Sequence, residues 1–191
     1  MTPNNKTFKN ELRLSGSGGQ GLITAGIILA KAAVIDRLNV TQTQSYGPES
    51  RGGASRADVI ISNTDFYYPE ATNFDILLTL TQEACDKYVV NLKSNGILIA
   101  DNTQVKSIPL VEAKVYEYPF TDIAIKKLGT ALPTNIMSLG FLVKITNIVS
   151  EKSLKEAVKN SVKSQYVDLN MKALRLGFKL AEDNMKNKEK K

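Results

Sequence analysis

The sequence predicts an α/β fold: a Rossmann-like three-layer sandwich with a mostly parallel central sheet and a helical C-terminal region. Three observations carry that prediction. Strand-length apolar runs alternate with segments of helical periodicity from Leu12 to Tyr118. A glycine-rich turn, Gly16-Ser17-Gly18-Gly19-Gln20-Gly21, stands between the first such run and the first helical segment. From Pro133 onward the pattern is helical alone.

The elements follow in order. Leu12–Ser15 reads as a short strand entering the glycine turn. From Gly19 to about Leu38, Leu22, Ile23, Ala25, Ile27, Ile28, Ala30, Ala33 and Val34 recur at helical spacing, and Asn39 is a stop signal. Val40–Gln44 is a second strand, its threonines suited to extended backbone. Arg56–Ser62, with Val59-Ile60-Ile61, and Asp75–Thr81, with Ile76-Leu77-Leu78, read as strands covered on both faces. Thr81 caps a helix with Glu83 in its first turn, which runs to about Leu92 and stops before the turn pair Asn95-Gly96. Ile97–Ala100 is a central strand ending at Asp101, and Lys114–Tyr118 is a more exposed one. Pro133-Thr134-Asn135 opens an apolar helix, Ile136 to Val149. Ser153 starts a short amphipathic helix with Glu156 at capping-box spacing, and a last helix covers Val167 to Met185. No internal repeat or linker divides the chain, so one domain is expected.

Composition narrows the chemistry. At 191 residues, one domain should bury roughly 70% of its unfolded surface. No apolar run approaches the roughly 20 residues of a membrane span, and the polar start, Met1 to Asn10, lacks a secretory segment. A cytoplasmic protein with no membrane contact is expected. The single cysteine, Cys85, excludes an intrachain disulfide, and a cluster built from this chain alone would need about four cysteines. With no histidine there is no Ser-His-Asp or Cys-His chemistry and no use of the commonest metal ligand. No metal site and no catalytic residue are assigned. The net charge of +6 is concentrated late, since residues 151–191 carry 11 basic and 6 acidic side chains. It is mixed in sign and lacks interleaved aromatics, which argues for a solvated helix face rather than a nucleic-acid surface.

Gly16-x-Gly18-x-x-Gly21 permits a tight turn, close backbone approach to an anion and close helix packing. Exposed N–H groups at the following helix start would favour a phosphate or carboxylate. A purely structural sharp turn explains the same residues. The nicotinamide reading further demands an acid at the end of the second strand, and Thr43-Gln44-Ser45 has none, while Asp36 falls on the helix. No Gly-Lys-Ser/Thr follows, so a P-loop is excluded.

A second turn, Tyr46-Gly47-Pro48-Glu49-Ser50-Arg51-Gly52-Gly53, lies on what reads as the adjacent βα-type connection. Pro48 fixes φ and the glycines let the chain turn sharply. Arg51 can pair with a phosphate or with a neighbouring subunit's carboxylate, or it and Glu49 simply fix the loop.

With both turns in view, the sequence resembles the gamma subunit of 2-oxoacid:ferredoxin oxidoreductases. The likeness continues through Ser55–Ser62, Tyr68-Pro69, Asp75, the Gln82–Tyr88 helix, Asn135-Ile136-Met137-Ser138-Leu139-Gly140, and Asn170 with Ala173 and Gly177. It implies one gamma-type catalytic domain over residues 9–185, followed by a disordered basic tail at 186–191. It also implies an enzyme that decarboxylates a 2-oxoacid, passes electrons to ferredoxin and makes acyl-CoA and CO2. Thiamine diphosphate, Mg2+ and iron–sulfur clusters would then sit in partner alpha, beta and ferredoxin-like delta subunits, with coenzyme A as co-substrate. The Gly-Gly-Gln-Gly and Tyr-Gly-Pro-Glu forms look most like 2-oxoglutarate synthases. Pyruvate, branched-chain and indolepyruvate enzymes are the alternatives, and a free-standing nucleotide-binding protein is the alternative of another class. The residues that would contact coenzyme A or another cofactor are Gly16, Gly18, Gly19, Gln20, Gly21, Tyr46, Glu49, Arg51, Gly52 and Gly53.

Among the remaining candidates, Cys85 is expected as a small core residue rather than a nucleophile. Asp101 faces the site or caps a turn, Asn135 is a cap or first-turn residue, and Tyr67-Tyr68-Pro69 is packing or interface.

Overall fold

A computed structural model describes residues 7–45, 53–66 and 71–189. Its sheet has six strands in the order β2-β3-β1-β4-β5-β6. They are β1 (Lys9–Ser17), β2 (Asn39–Gln44), β3 (Ala54–Ser62), β4 (Phe74–Thr79), β5 (Leu92–Asp101) and β6 (Lys114–Tyr118). Pairings β1–β4, β4–β5 and β5–β6 are parallel, whereas β3 runs antiparallel to both β1 and β2. Five strands thus share one direction and β3 is the exception. The stretch from Tyr46 to Gly53 therefore joins two strands, not a strand to a helix as expected. Antiparallel neighbours can be joined directly, without a crossover helix.

The α/β sandwich is otherwise as expected. Helix α1 (Leu22–Ile35), α4 (Thr134–Thr146), α5 (Glu151–Lys159) and α6 (Val167–Glu189) cover one face. The strands alternate, so Leu12, Leu14, Val59, Ile61, Ile76, Leu78 and Ile99 all point into that single core. The other face holds three smaller apolar clusters under α2 (Gln82–Tyr88) and its flanking loops. Between these clusters lies a buried ion pair. Arg13 Nε and Nη2 donate to the two oxygens of Asp58 at 2.6 and 2.7 Å, with the guanidinium 4.0 Å from the Phe74 ring and 4.6 Å from Tyr88. A bidentate pair between aromatic faces satisfies two charges that would otherwise be costly to bury.

Several elements differ from the sequence reading. Strand β5 begins at Leu92, and Asn95-Gly96 lies within it; Asn95 takes φ 65° where the pairing with β4 shifts register. The pair that looked like a turn is an irregularity inside a strand. Helix α3 (Phe120–Leu128) is absent from the sequence reading, although Phe120, Ile123, Ala124 and Leu128 recur at helical spacing on the side that packs against the core and Gly129 ends the helix. The cap of α5 is Ser150 rather than Ser153. Its hydroxyl accepts from Ser153 N–H at 3.1 Å, placing the helix start one turn earlier. Helix α4 ends at Thr146, and α6 extends past Met185 to Glu189. Among the described residues no helix is long and apolar enough to cross a membrane.

Candidate functional site

The candidate site is built at the carboxyl edge of the sheet. Helix α1 leaves β1 on one face and α2 leaves β4 on the other, so the adjacent ends of β1 and β4 form a switch point, where ligands of open α/β sheets bind. A cleft of about 360 Å³ opens there, lined by Ser17, Gly19 and Gln20 of the first turn, by Leu80 and Thr81, and by Thr121 at the start of α3.

The glycine turn is held from within. Gln20 folds back so that its Oε1 accepts from Ser17 N–H at 2.9 Å. A Cβ at Gly16 would fall on that oxygen, 2.3 Å away, so the glycine makes room for the fold-back. Gly19 and Gly21 adopt φ 89° and 74°, the left-handed region where glycine is favoured. Gly21 is the N-cap of α1, whose first helical bond runs from Ala25 N–H to Gly21 C=O at 2.9 Å. Among the described residues no side chain caps this helix, and no acid sits in its first turn. Its first N–H groups and positive dipole end therefore face the carboxyl edge, an arrangement suited to an anion. Asn135, in the first turn of α4, fixes the geometry by donating from Nδ2 to Gly21 C=O at 2.9 Å.

Of the residues expected to line a site, Gly16, Gly18, Gly19, Gln20 and Gly21 form this one turn. Gly53 comes to the same edge, because Ala54 pairs with Ser17. Tyr46, Glu49, Arg51 and Gly52 lie outside the described residues, as do Tyr67, Tyr68 and Pro69. Gln20 differs from expectation in one respect: its carbonyl oxygen serves the turn itself.

Asp101 is fully buried and works as a brace. It accepts from Thr103 N–H at 3.0 Å, Thr121 N–H at 3.1 Å and Thr121 Oγ1 at 2.5 Å, tying the end of β5 to the start of α3. Thr81 caps α2 as expected, accepting from Ala84 N–H at 3.3 Å. Cys85 is fully buried on α2; burial, with Asp86 and Glu117 nearby, pushes its thiol up to about 11. It is a core residue.

Two features escaped the sequence reading. Arg56 is half-exposed on the α2 face of the sheet, opposite Ser15 on β1, with its Nε 3.7 Å from an Asp58 oxygen and its guanidinium 6.0 Å from the Tyr88 ring. A second groove of about 370 Å³ runs beyond Leu132 between Thr24, Asn135, Lys163 and Tyr166. Leu132, 74% exposed, lines both this groove and the cleft. Neither feature has a local signal, since each joins segments distant in sequence.

Comparison with known proteins places this architecture. The sequence model described as "Pyruvate ferredoxin/flavodoxin oxidoreductase" matches residues 11–180. The chain is 41% identical over 179 residues to the 2-oxoglutarate synthase subunit KorC of Methanocaldococcus jannaschii, covering 92% of this chain and 96% of that one. It is 32% identical to the common gamma subunit of the pyruvate/ketoisovalerate oxidoreductases of Thermococcus litoralis, over 88% and 95% of the two chains. The crystal structure of a keto/oxoacid ferredoxin oxidoreductase gamma subunit from Geobacter sulfurreducens PCA superposes with TM-score 0.82 at 42% identity, covering 91% of this chain and 99% of that one. On the strength of the residues matched and the near-complete coverage, this chain belongs to the pyruvate ferredoxin/flavodoxin oxidoreductase family.

Proposed function

We propose that the chain is the gamma subunit of a cytoplasmic 2-oxoglutarate:ferredoxin oxidoreductase, which converts a 2-oxoacid and coenzyme A to acyl-CoA and CO2 while reducing ferredoxin. One observation carries the choice of substrate: the 2-oxoglutarate synthase subunit is 41% identical over nearly the whole length of both chains, against 32% for the pyruvate/ketoisovalerate subunit. On this reading residues 9–185 act as one gamma-type domain docked on alpha and beta subunits, with a ferredoxin-like delta subunit alongside.

The division of labour follows from the residues. A chain with one cysteine and no histidine has little with which to hold a cluster or run nucleophilic chemistry. Thiamine diphosphate with Mg2+ would supply the decarboxylation chemistry and iron–sulfur clusters the electron path, both in partner subunits. What this chain offers is a built edge: a rigid glycine turn, a helix start that no described side chain caps, and Arg56 on β3. These suit the phosphates of coenzyme A, and Arg51 with Tyr46, Glu49, Gly52 and Gly53 would complete that contact.

The test is a native pulldown of the tagged chain, followed by assays of the captured complex with 2-oxoglutarate, pyruvate, 2-oxoisovalerate and indolepyruvate. Thiamine-diphosphate subunits should co-purify, and 2-oxoglutarate should give the fastest coenzyme-A-dependent reduction of a low-potential acceptor. Recovery of a stable lone monomer would refute the subunit reading, and a faster rate with another 2-oxoacid would refute the substrate. For coenzyme A, Arg51→Ala and Arg56→Ala should each raise its KM about tenfold with assembly intact, the loss of one charge-assisted phosphate contact. An unchanged KM in both would leave the chain a scaffold only.

A further inference from the structure

Two cavities meet at the glycine turn, and they differ in charge. The cleft at the carboxyl edge is lined by hydroxyl, amide and apolar groups, with no acid or base among the described residues. The groove of about 370 Å³ beyond it holds one cation, Lys163, and no anion among the described residues. Leu132, 74% exposed, lines both. The groove also reaches the turn itself. Asn135, which donates to Gly21 C=O, lines it, as does Thr24 in the first turn of α1.

The polar groups of the groove are left open. Lys163 is exposed, and its ammonium has no partner among the described residues. Tyr166 is 44% exposed, and its hydrogen bonds to the described residues run through its backbone. Asn170 donates from Nδ2 to Tyr166 C=O at 2.9 Å, so its Oδ1 remains as an acceptor. An aromatic face, an amide acceptor and a cation together match an adenosine that carries a phosphate. The base stacks, its exocyclic amino group donates, and the phosphate pairs with the ammonium. The volume is that of a small-molecule site.

We propose, resting on the coenzyme A reading of this edge, that the groove receives the adenosine 3′-phosphate end of that ligand, with Tyr166 stacking on the base, Asn170 accepting from its amino group and Lys163 pairing with the 3′-phosphate. Connectivity and charge set the direction. In coenzyme A the pyrophosphate joins the adenosine to the pantetheine arm, and in this chain the glycine turn joins the groove to the cleft. The pantetheine arm is uncharged and carries amides, which suits the neutral cleft. Gln20 lines that cleft with its Oε1 already taken by Ser17 N–H, so its amide donors are what it offers. The 3′-phosphate is anionic and belongs with Lys163.

The captured oxidoreductase complex tests this through the ratio of KM for 3′-dephospho-coenzyme A to KM for coenzyme A. Wild type should prefer coenzyme A about tenfold, the worth of one charge-assisted phosphate contact. Lys163→Ala should remove that preference, and Lys163→Arg should restore it. Tyr166→Leu should raise both KM values about tenfold, and Tyr166→Phe, which keeps the stacking face, should bring them back. Native mass measurement of each variant complex separates lost assembly from lost affinity. A coenzyme-A-dependent complex in which Lys163→Ala keeps the wild-type preference overturns the assignment of the groove and leaves the coenzyme A reading standing. Turnover that does not depend on coenzyme A overturns both. Variants that shed this chain from the complex would place a partner subunit in the groove, and that too overturns the assignment.

Discussion

Gly21 meets two separate demands, and they can be measured apart. Its φ of 74° is left-handed, and a Cβ there would sit 2.6 Å from Asn135 Nδ2, the atom that braces the turn. Gly19 shares the first constraint, at φ 89°, but opens onto free space. Gly19→Ala should therefore cost only the left-handed penalty, about 1–2 kcal/mol. Gly21→Ala should add the loss of the Asn135 hydrogen bond, for a total of about 2–4 kcal/mol. Urea unfolding at constant m-value measures both, and equal midpoints for the two variants would show that Asn135 does not brace the turn. At Cys85, complete burial and a thiol pushed up to about 11 predict no alkylation by iodoacetamide at about pH 8 in the native protein, and rapid alkylation in urea. Mass spectrometry reads this directly; fast native labelling would mean that α2 opens readily.

Between elements, α4 and α6 approach closely at Gly177. A Cβ at Gly177 would lie 2.0 Å from Met137 C=O and 2.9 Å from Phe141 N, backbone atoms that cannot turn aside. Gly177→Ala should thus force the helices apart and cost about 3 kcal/mol or more, seen as a lowered thermal midpoint. A loss below about 1 kcal/mol would mean that α6 shifts freely on α4. The sequence made some elements plain and hid others, for physical reasons. The strand expected at Lys114–Tyr118 has those bounds, and Val59-Ile60-Ile61 and Ile76-Leu77-Leu78 mark buried strands, because burial writes itself into local composition. The reversed direction of β3 and the Arg13–Asp58 pair, 45 residues apart, depend on which strands meet, and no local pattern records that. The glycine turn of the site was legible because φ values are local demands. The inward use of Gln20, the brace from Asn135 and the Lys163–Tyr166 groove arise only when distant segments close on one another.

At the scale of the molecule, the helical layer is tied together by ionic contacts that should set the pH range of stability. Asp36, at the end of α1, accepts from the hydroxyls of Ser150 and Ser153 and from Ser150 N–H at the start of α5. Lys144 of α4 reaches Glu151 of α5 at 2.6 Å and Glu182 of α6 at 3.0 Å, and Lys155 joins Glu151 at 3.1 Å. Burial alone would push the Asp36 carboxyl up, but the Ser153 and Ser150 donors together hold it below the usual aspartate range. The hydrogen bond donated by Lys144 likewise lowers Glu151 against its burial, and the bonds that Lys144 donates to Glu151 and Glu182 raise Lys144 itself. For the two lowered carboxyls, the stabilisation is full above the unfolded values near about 4 and is lost as pH falls through the lower folded values. For the raised Lys144 it is full below about 10.4 and lost as pH rises through the higher folded value. Thermal stability should therefore form a plateau between about pH 5 and pH 10 and fall on both sides. Asp36→Asn with Glu151→Gln should melt below wild type on the plateau, and the gap should close as pH drops toward about 2–3, where the wild-type carboxyls are neutral too. Melting curves of the two proteins across that range decide the matter. If they stay parallel into acid, these carboxylates do not link folding to protons, and the helical layer is held by apolar packing alone.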